Sequence, residues 1–293
     1  MTPKLRNAYL MLHSSVFLWG FTAILGRMIS VSALTLVWWR MLFTSISFII
    51  LLGGWRKLQA LDRKDVVRMM GIGVLVALHW ISFYGAIKLA NASVALVALS
   101  TMSLFTSIMS PIYNGTKIDK LEMGLGIIVI PAMILIINQL DFSMWLGLGV
   151  GIVSAALSSL FTILNKSLIN RIPPLSMSFI ELGSGWLFLT LFLPFFAFQA
   201  DAHFALGTRD LILIMILTLA CTTLPYIMSL KALKEVNAFT ISLSLNLEPV
   251  YGLIMAAYFL HENRELTPGF YVGVVVLLAT VAAYPLIKSF KKI

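Results

Sequence analysis

Ten long apolar segments follow one another along this chain, and the gaps between them are short and polar. About 20 helical residues cross a hydrocarbon core roughly 30 Å thick, which matches the length of these segments. Only 11% of the residues are charged, against about 25% in a water-soluble domain, so the ordinary soluble class is excluded. The segments lie near residues 8–29, 34–54, 69–89, 92–113, 121–139, 144–165, 174–198, 209–231, 235–260 and 266–287.

Helices are the predicted conformation of these segments. Inside lipid the backbone must satisfy its own hydrogen bonds, and the segments lack the alternating pattern of barrel strands. The sequence therefore predicts an all-α membrane protein with ten transmembrane helices. The single cysteine, Cys221, lies within a segment, so we expect neither an internal disulfide nor a cysteine-built metal site.

The distribution of basic residues predicts the orientation. Ten spans put both termini on one side. If that side is cytoplasmic, 16 of the 21 Lys and Arg residues face the cytoplasm, as the positive-inside rule requires. The other five are Arg27, Arg40, Lys88, Arg209 and Arg264. We therefore expect a multi-pass protein of a bacterial-type inner membrane, and the net charge of +9 indicates no nucleic-acid partner.

A sequence repeat relates the two halves of the chain. The pattern A-x-K-x-x-N-A at 86–92 recurs 146 residues later at 232–238. Further pairs are Trp80 with Tyr226 and Ser103 with Pro249 at the same offset, and Arg40 with Glu181 at an offset of 141. Five spans per repeat is an odd number, so the predicted units at 8–139 and 144–287 have inverted topology within one integrated domain. Inverted repeats are typical of secondary transporters.

Several short motifs resemble the EamA type of the drug/metabolite transporter superfamily. They are Leu18-Trp19-Gly20, Arg40, His79-Trp80, Phe83-Tyr84-Gly85-Ala86, Leu247-Glu248-Pro249-Val250, Glu262, Gly269 and Gly273. The resemblance implies ten helices around a central cavity, with the fifth and tenth peripheral. It also implies export or exchange of amino acids, related metabolites or small drugs. Ser103 and Thr116 stand where the family often has Pro and Glu, so those two roles are not transferred.

Glu248 is the first candidate for a functional residue. It lies about 13 residues, or roughly 20 Å, into the ninth span, close to the middle of the bilayer. An ionisable group at that depth costs several kcal/mol unless it is paired, protonated or hydrated. Glu248 is therefore a candidate proton-coupling group. The alternative is a carboxyl that only hydrogen-bonds a neighbouring helix, and the sequence does not distinguish the two.

Arg40 and Glu181 are the next candidates. Each lies about seven residues from an end of its span, at opposite sides of the membrane, so their depths differ by roughly 10 Å. A direct salt bridge needs a tilted helix or water. Either Arg40 attracts a substrate carboxylate and Glu181 an amine, each at one mouth of a cavity, or both snorkel or pair locally.

Aromatic and small polar stripes complete the candidate site. Trp80 and Tyr84 share a helix face by their spacing and either stack on a substrate or pack, and His79 points elsewhere. Stripes of serine and threonine indicate close helix packing or a wet cavity wall. The candidate cavity residues are Trp19, Arg40, His79, Trp80, Tyr84, Ser103, Glu181, Tyr226, Ser244, Asn246 and Glu248.

These features predict a secondary transporter for a small-molecule substrate in membrane lipid, acting by alternating access as an exporter. A membrane-embedded enzyme is the alternative, but its usual HExxH motif or intramembrane aspartate pair is missing from the sequence. A receptor or scaffold is the other alternative, against which Glu248 argues. We expect no cofactor and no metal, and the sequence leaves substrate, coupling ion and oligomeric state open.

Overall fold

The computed structural model of the chain describes residues 2–53, 58, 61–136, 144–195, 204–259 and 268–290. Every regular element in these ranges is a helix, which confirms the predicted all-α class. Six helical stretches are long and apolar enough to cross a bilayer, as a multi-pass membrane protein requires. In chain order the helices are α1 (Pro3–Met28), α2 (Ala33–Leu52), α3 (Arg63–Leu89), α4 (Ala92–Ser100), α5 (Met102–Asn114), α6 (Lys120–Ile136), α7 (Trp145–Leu168), α8 (Pro174–Leu191), α9 (Thr208–Thr218), α10 (Leu224–Glu235), α11 (Ala238–Leu245), α12 (Glu248–Phe259) and α13 (Pro268–Phe290).

The repeated asparagine of the A-x-K-x-x-N-A pattern begins a helix in each half. The side-chain oxygen of Asn91 accepts from the N–H of Val94 at 2.8 Å at the start of α4. That of Asn237 accepts from the N–H of Thr240 at 2.7 Å at the start of α11. An asparagine at this position satisfies an N–H that has no partner within the helix. The sequence repeat therefore corresponds to a repeated local structure.

The ninth predicted span, 235–260, is divided between α11 and α12 at Asn246 and Leu247. The N–H groups of these two residues bond three residues back, at 3.2 and 3.1 Å, which is the pattern of a 3₁₀ turn. Pro249 has no N–H for the carbonyl four residues earlier. As a result α12 begins at Glu248, and the acidic side chain lies at a helix break.

The fourth and eighth predicted spans are also interrupted. α4 and α5 meet at Thr101, whose hydroxyl and N–H both donate to the carbonyl of Ala98, at 2.6 and 3.1 Å. A π-helical turn, Leu219–Thr223, separates α9 from α10. It precedes Pro225, which has no N–H to continue the α-helical pattern. The apolar pattern predicted continuous helices because it does not register these local backbone effects.

Glycines allow two pairs of helices to approach closely. A Cβ on Gly73 would lie 2.1 Å from the carbonyl oxygen of Glu181, and one on Gly185 would lie 2.6 Å from that of Gly73, so α3 and α8 touch through their backbones. On α7, a Cβ on Gly151 would lie 2.5 Å from the Cβ of Ala98. Small residues at such crossings are typical of membrane helices.

The contacts between helices follow a repeated pattern in the two halves. α3 packs along α7, and α10 packs along α1. α4 and α5 also pack against α7, as α11 and α12 pack against α1. α6 and α13 pack against one another, with α5 and α11 as their inward neighbours. The helices around the centre of the bundle are therefore α1, α2, α3, α4, α7, α10, α11 and α12.

Candidate functional site

A cavity of about 90 Å³ lies at the centre of the bundle, between helices of both halves, and it is partly open to solvent. Its wall combines aromatic and aliphatic side chains with polar groups that converge on the cavity. Such a combination is typical of small-molecule sites. The polar lining residues are Thr22, Arg40, His79, Ser158, Thr162, Asn165, Tyr226, Ser229 and Glu248, and the aromatic ones are Trp19, Trp80, Phe83 and Phe161.

The guanidinium group of Arg40 is held in the cavity wall from three directions. Its Nε donates to Thr222 Oγ1 at 2.8 Å, and its Nη1 donates to the hydroxyl of Tyr84 at 2.6 Å. Its central carbon lies 4.0 Å from the centroid of the Trp80 ring, a cation–π geometry. Although Arg40 is only 3% exposed, Nη2 makes no hydrogen bond within the described residues and is free to bind a ligand.

Glu248 faces the same cavity from the start of α12. It is 4% exposed, and Oε1 accepts from Thr22 Oγ1 of α1 at 3.2 Å. Arg40 lies within electrostatic range of Glu248, but the two form no salt bridge among the residues that the structure covers. The cavity therefore contains a basic and an acidic side chain that face common space without contacting each other.

Glu181 lies behind the cavity wall. Its Oε2 accepts from the hydroxyl of Tyr226 at 2.6 Å and from the amide of Asn165 at 3.4 Å. Both partners line the cavity, whereas Glu181 itself is fully buried. No direct salt bridge joins Glu181 to Arg40 in the part of the chain that the structure describes.

His79 joins α3 to α7 and presents its ring to the cavity. Its Nδ1 lies 2.9 Å from the carbonyl oxygen of Ser154 and 2.8 Å from the hydroxyl of the same residue. That hydroxyl donates in turn to the carbonyl of His79 at 3.0 Å. This reciprocal pair fixes the ring, which packs edge-on against Phe161 with centroids 5.4 Å apart.

The structure brings six of the eleven candidate residues together. The residues that line the cavity are Trp19, Arg40, His79, Trp80, Tyr226 and Glu248. Tyr84 and Glu181 lie directly behind this wall, as partners of Arg40 and Tyr226. Ser103 and Asn246 bond to each other at 3.3 Å, and Ser244 is buried; these three lie outside the lining. Glu262 falls outside the described residues.

Sequence reasoning missed several lining residues. Thr22 of α1 and three residues of α7, Ser158, Thr162 and Asn165, contribute polar groups to the cavity. The three on α7 are spaced by four and three residues, which places them on one helix face. That pattern was a usable signal, since polar side chains are costly in lipid, but uncharged groups are much weaker signals than Glu248 or Arg40.

A sequence profile of the EamA-like transporter family matches the chain twice, over residues 6–138 and 145–284. The chain belongs to the EamA-like transporter family. This confirms the resemblance to the drug/metabolite transporter superfamily. The EamA-like chain is thus a membrane transporter, and its cavity is the candidate site for a small-molecule substrate.

Two relatives show how far the similarity of this EamA-like transporter extends. A protein of Bacillus subtilis (strain 168) named uncharacterized transporter YxxF is 22% identical over 243 residues, which cover 81% of this chain and 75% of the relative. A protein of known crystal structure superposes with a TM-score of 0.75 at 13% identity, over 96% of each chain. The latter likeness shows the fold alone.

Proposed function

We propose that this EamA-like protein is a secondary transporter that exports small zwitterionic metabolites, above all amino acids, across an inner membrane by alternating access. The observation that carries the proposal is the placement of Arg40 and Glu248 in one cavity without a salt bridge between them. A cation and an anion held apart in this way match the two charged ends of an amino acid.

The proposed architecture is ten spans in two inverted five-helix units, at 8–139 and 144–287, with both termini cytoplasmic. The ten helical stretches are α1, α2, α3, α4 with α5, α6, α7, α8, α9 with α10, α11 with α12, and α13. The repeated helix contacts and the matching caps at Asn91 and Asn237 support this arrangement. An odd number of spans in each unit inverts one relative to the other.

With this proposed orientation, we assign the conformation as inward-facing. The lining residues on α7 and α10 run from the middle of the membrane to the cytoplasmic ends of both helices. On the outer side, Ser30 bonds to both carboxylate oxygens of Asp210, at 3.0 and 2.5 Å. The ammonium group of Lys88 donates to the carbonyl of Ile29, the residue before Ser30, at 2.6 Å. These contacts tie α1, α3 and α9 together and close the outer end.

The substrate is proposed to lie across the cavity. Nη2 of Arg40 donates to its carboxylate, a charge-assisted bond that is about twice as strong as a neutral one. Glu248 accepts from its ammonium group, and the rings of Trp19 and Phe161 contact its side chain. A proton on Glu248 competes with the substrate amine for the same carboxylate, so inward movement of protons drives outward movement of substrate.

A ligand screen on purified protein tests this proposal. A ligand that binds only the folded state raises the melting temperature by mass action. We expect stabilisation by zwitterionic amino acids and little by the matched amines, which lack the carboxylate, or by N-acetyl amino acids, which lack the ammonium group. Equal stabilisation by all three classes would contradict the assignment of Arg40 and Glu248.

A further inference from the structure

Glu181 is a carboxyl group inside the bundle that has no cationic partner among the residues that the structure describes. It is 0% exposed, and no ion pair of Glu181 occurs within the described ranges. An uncompensated charge at such a position costs several kcal/mol. The sequence left two interpretations of Glu181, attraction of a substrate amine or local pairing, and its burial behind Tyr226 removes it from direct contact with a substrate in this conformation.

The helices around Glu181 present few ionisable groups to it. Tyr226 of α10 is the titratable side chain in contact, and α7 contributes the neutral amide of Asn165. α3 contributes the backbone at Gly73. The charged or titratable residues of α2, α3 and α7 nearest the cavity bond elsewhere: Arg40 to Tyr84 and Thr222, His79 to Ser154, and Lys166 to the carbonyls of Leu233 and Val236.

Among the described residues, two oxygen atoms of this cluster are buried without a hydrogen-bond donor. They are Oε1 of Glu181 and Oδ1 of Asn165. A buried polar atom without a hydrogen bond costs about 1–3 kcal/mol, and more when it is charged. Both atoms are acceptors, so neither can satisfy the other. A cation supplies what both lack, since a proton donates a hydrogen bond and a hard metal cation prefers oxygen ligands.

We propose that Glu181 and Asn165 form a binding site for a monovalent cation, either a proton or Na⁺, in the inner wall of the cavity. Asn165 lines the cavity although it is only 2% exposed, so the carboxylate of Glu181 lies one side chain away from the cavity. The hydroxyl of Tyr226 holds Oε2 and leaves Oε1 for the ligand. This site is separate from the Arg40 and Glu248 pair.

The site has a consequence for transport that rests on the proposed function. Tyr226 and Asn165 belong both to the proposed cation site and to the cavity wall, and they come from two different helices, α10 and α7. Occupancy of the site therefore biases the packing of α7, α8 and α10, the helices that border the inner end of the cavity. Cation binding itself is measured on the isolated protein without any transport.

The test compares melting temperatures in two backgrounds. Glu248→Gln removes the other buried carboxyl of the cavity, so the responses of this variant report on Glu181. In that background we expect the melting temperature to rise saturably with Na⁺ at alkaline pH, with choline chloride keeping the ionic strength constant, or to rise with proton concentration without Na⁺. The first result identifies Na⁺ as the ligand and the second identifies the proton.

The matched variant is Glu248→Gln combined with Glu181→Gln, which keeps the shape of the side chain but cannot bind the cation. It should lose the response. A response that persists in the double variant, or a Glu248→Gln protein that responds to neither cation, would overturn the site. If Glu181→Gln does not fold, Glu181→Asp replaces it. A changed half-effect concentration then supports the site, and an unchanged one contradicts it.

Failure of this proposal is distinguishable from failure of the proposed function. A protein without the cation response still reports amino-acid binding in the ligand screen as long as Glu248 is present, since that binding is assigned to Arg40 and Glu248. Conversely, a protein that binds no amino acid still reports cation binding in the melting experiment.

Discussion

The guanidinium carbon of Arg40 lies 4.0 Å from the centre of the Trp80 ring. In the other half of the chain, Glu181 accepts a 2.6 Å hydrogen bond from Tyr226. Trp80 and Tyr226 are 146 residues apart, and Arg40 and Glu181 are 141 residues apart. Two related positions therefore carry a basic and an acidic side chain, each beside an aromatic residue of the cavity wall, and they differ in their exposure to the cavity: Arg40 lines it, and Glu181 lies behind its wall.

Substitutions of Trp80 and Tyr84 should have different effects on substrate binding and on stability, because the two side chains contact Arg40 in different ways. Trp80→Ala removes the ring that lines the cavity, and with it a cation–π contact of about 0.5–2 kcal/mol. We expect weaker substrate binding, by roughly tenfold for each 1.4 kcal/mol, in protein that remains folded. Titration of the melting temperature with substrate measures this affinity.

Tyr84→Phe should mainly lower stability. The variant leaves Nη1 of the buried Arg40 without its acceptor, at a cost of about 1–3 kcal/mol or more, whereas the ring and its packing remain. We expect a lower melting temperature and a smaller loss of affinity than in Trp80→Ala. The opposite order of effects, with Trp80→Ala unstable but fully able to bind, would assign Trp80 to packing.

Gly73 and Gly71 provide a matched pair for the contact between α3 and α8. A Cβ on Gly73 would lie 2.1 Å from the carbonyl oxygen of Glu181, while nothing lies within 4 Å of a Cβ on Gly71. Gly73→Ala should therefore destabilise the protein by about 1–3 kcal/mol or more. Gly71→Ala should be neutral or stabilising by up to about 1 kcal/mol, because alanine favours helix. Equal melting temperatures for the two variants would contradict the close crossing.

Accessibility of single cysteines tests the orientation. With Cys221 replaced by alanine, a cysteine at Arg171 should react with an impermeant reagent only from the cytoplasm, and one at Arg209 only from outside. Both positions are exposed, so burial within the protein does not prevent the reagent from reaching either cysteine. Reaction of both from the same side of the membrane would rule out the ten-span inverted arrangement.

Glu248→Gln should uncouple transport from protons. Glutamine keeps the size and most of the hydrogen-bonding capacity of the side chain, including a partner for Thr22, but it cannot carry a proton. We expect folded protein whose substrate flux no longer responds to a pH gradient across the vesicle. A variant that still concentrates substrate when driven by pH, like the parent, would exclude Glu248 as the coupling group.

The sequence predicted the parts of the site that are costly in lipid. An ionisable side chain inside an apolar span is costly in lipid and is therefore a candidate for function. This argument selected Arg40, His79 and Glu248, and each of them reaches the cavity. Thr22 and Ser158 carry no charge and resemble packing residues, so they were missed. Ser103 and Asn246 were expected in the cavity, but they bond to each other between α5 and the end of α11.

Helix continuity was the feature that hydropathy could not predict. The breaks at Thr101 and at Asn246 depend on local hydrogen bonds, which leave the apolar content of a span unchanged. Hydropathy also could not predict that an oxygen of Glu181 and one of Asn165 lack a hydrogen bond among the described residues, because these atoms lie where three helices meet. Sequence periodicity assigns faces of a helix, whereas partners across helices require the structure.

Flux through proteoliposomes that contain only this protein tests the central claim most directly. We expect saturable exchange of a labelled zwitterionic amino acid in the parent, with strongly reduced exchange in Arg40→Gln because the substrate carboxylate loses its charge-assisted donor. Glu235→Gln, at the C-terminal end of α10 and outside the cavity lining, serves as the control and should match the parent. Absence of saturable flux in the parent, or unchanged KM and rate in Arg40→Gln, would contradict the account.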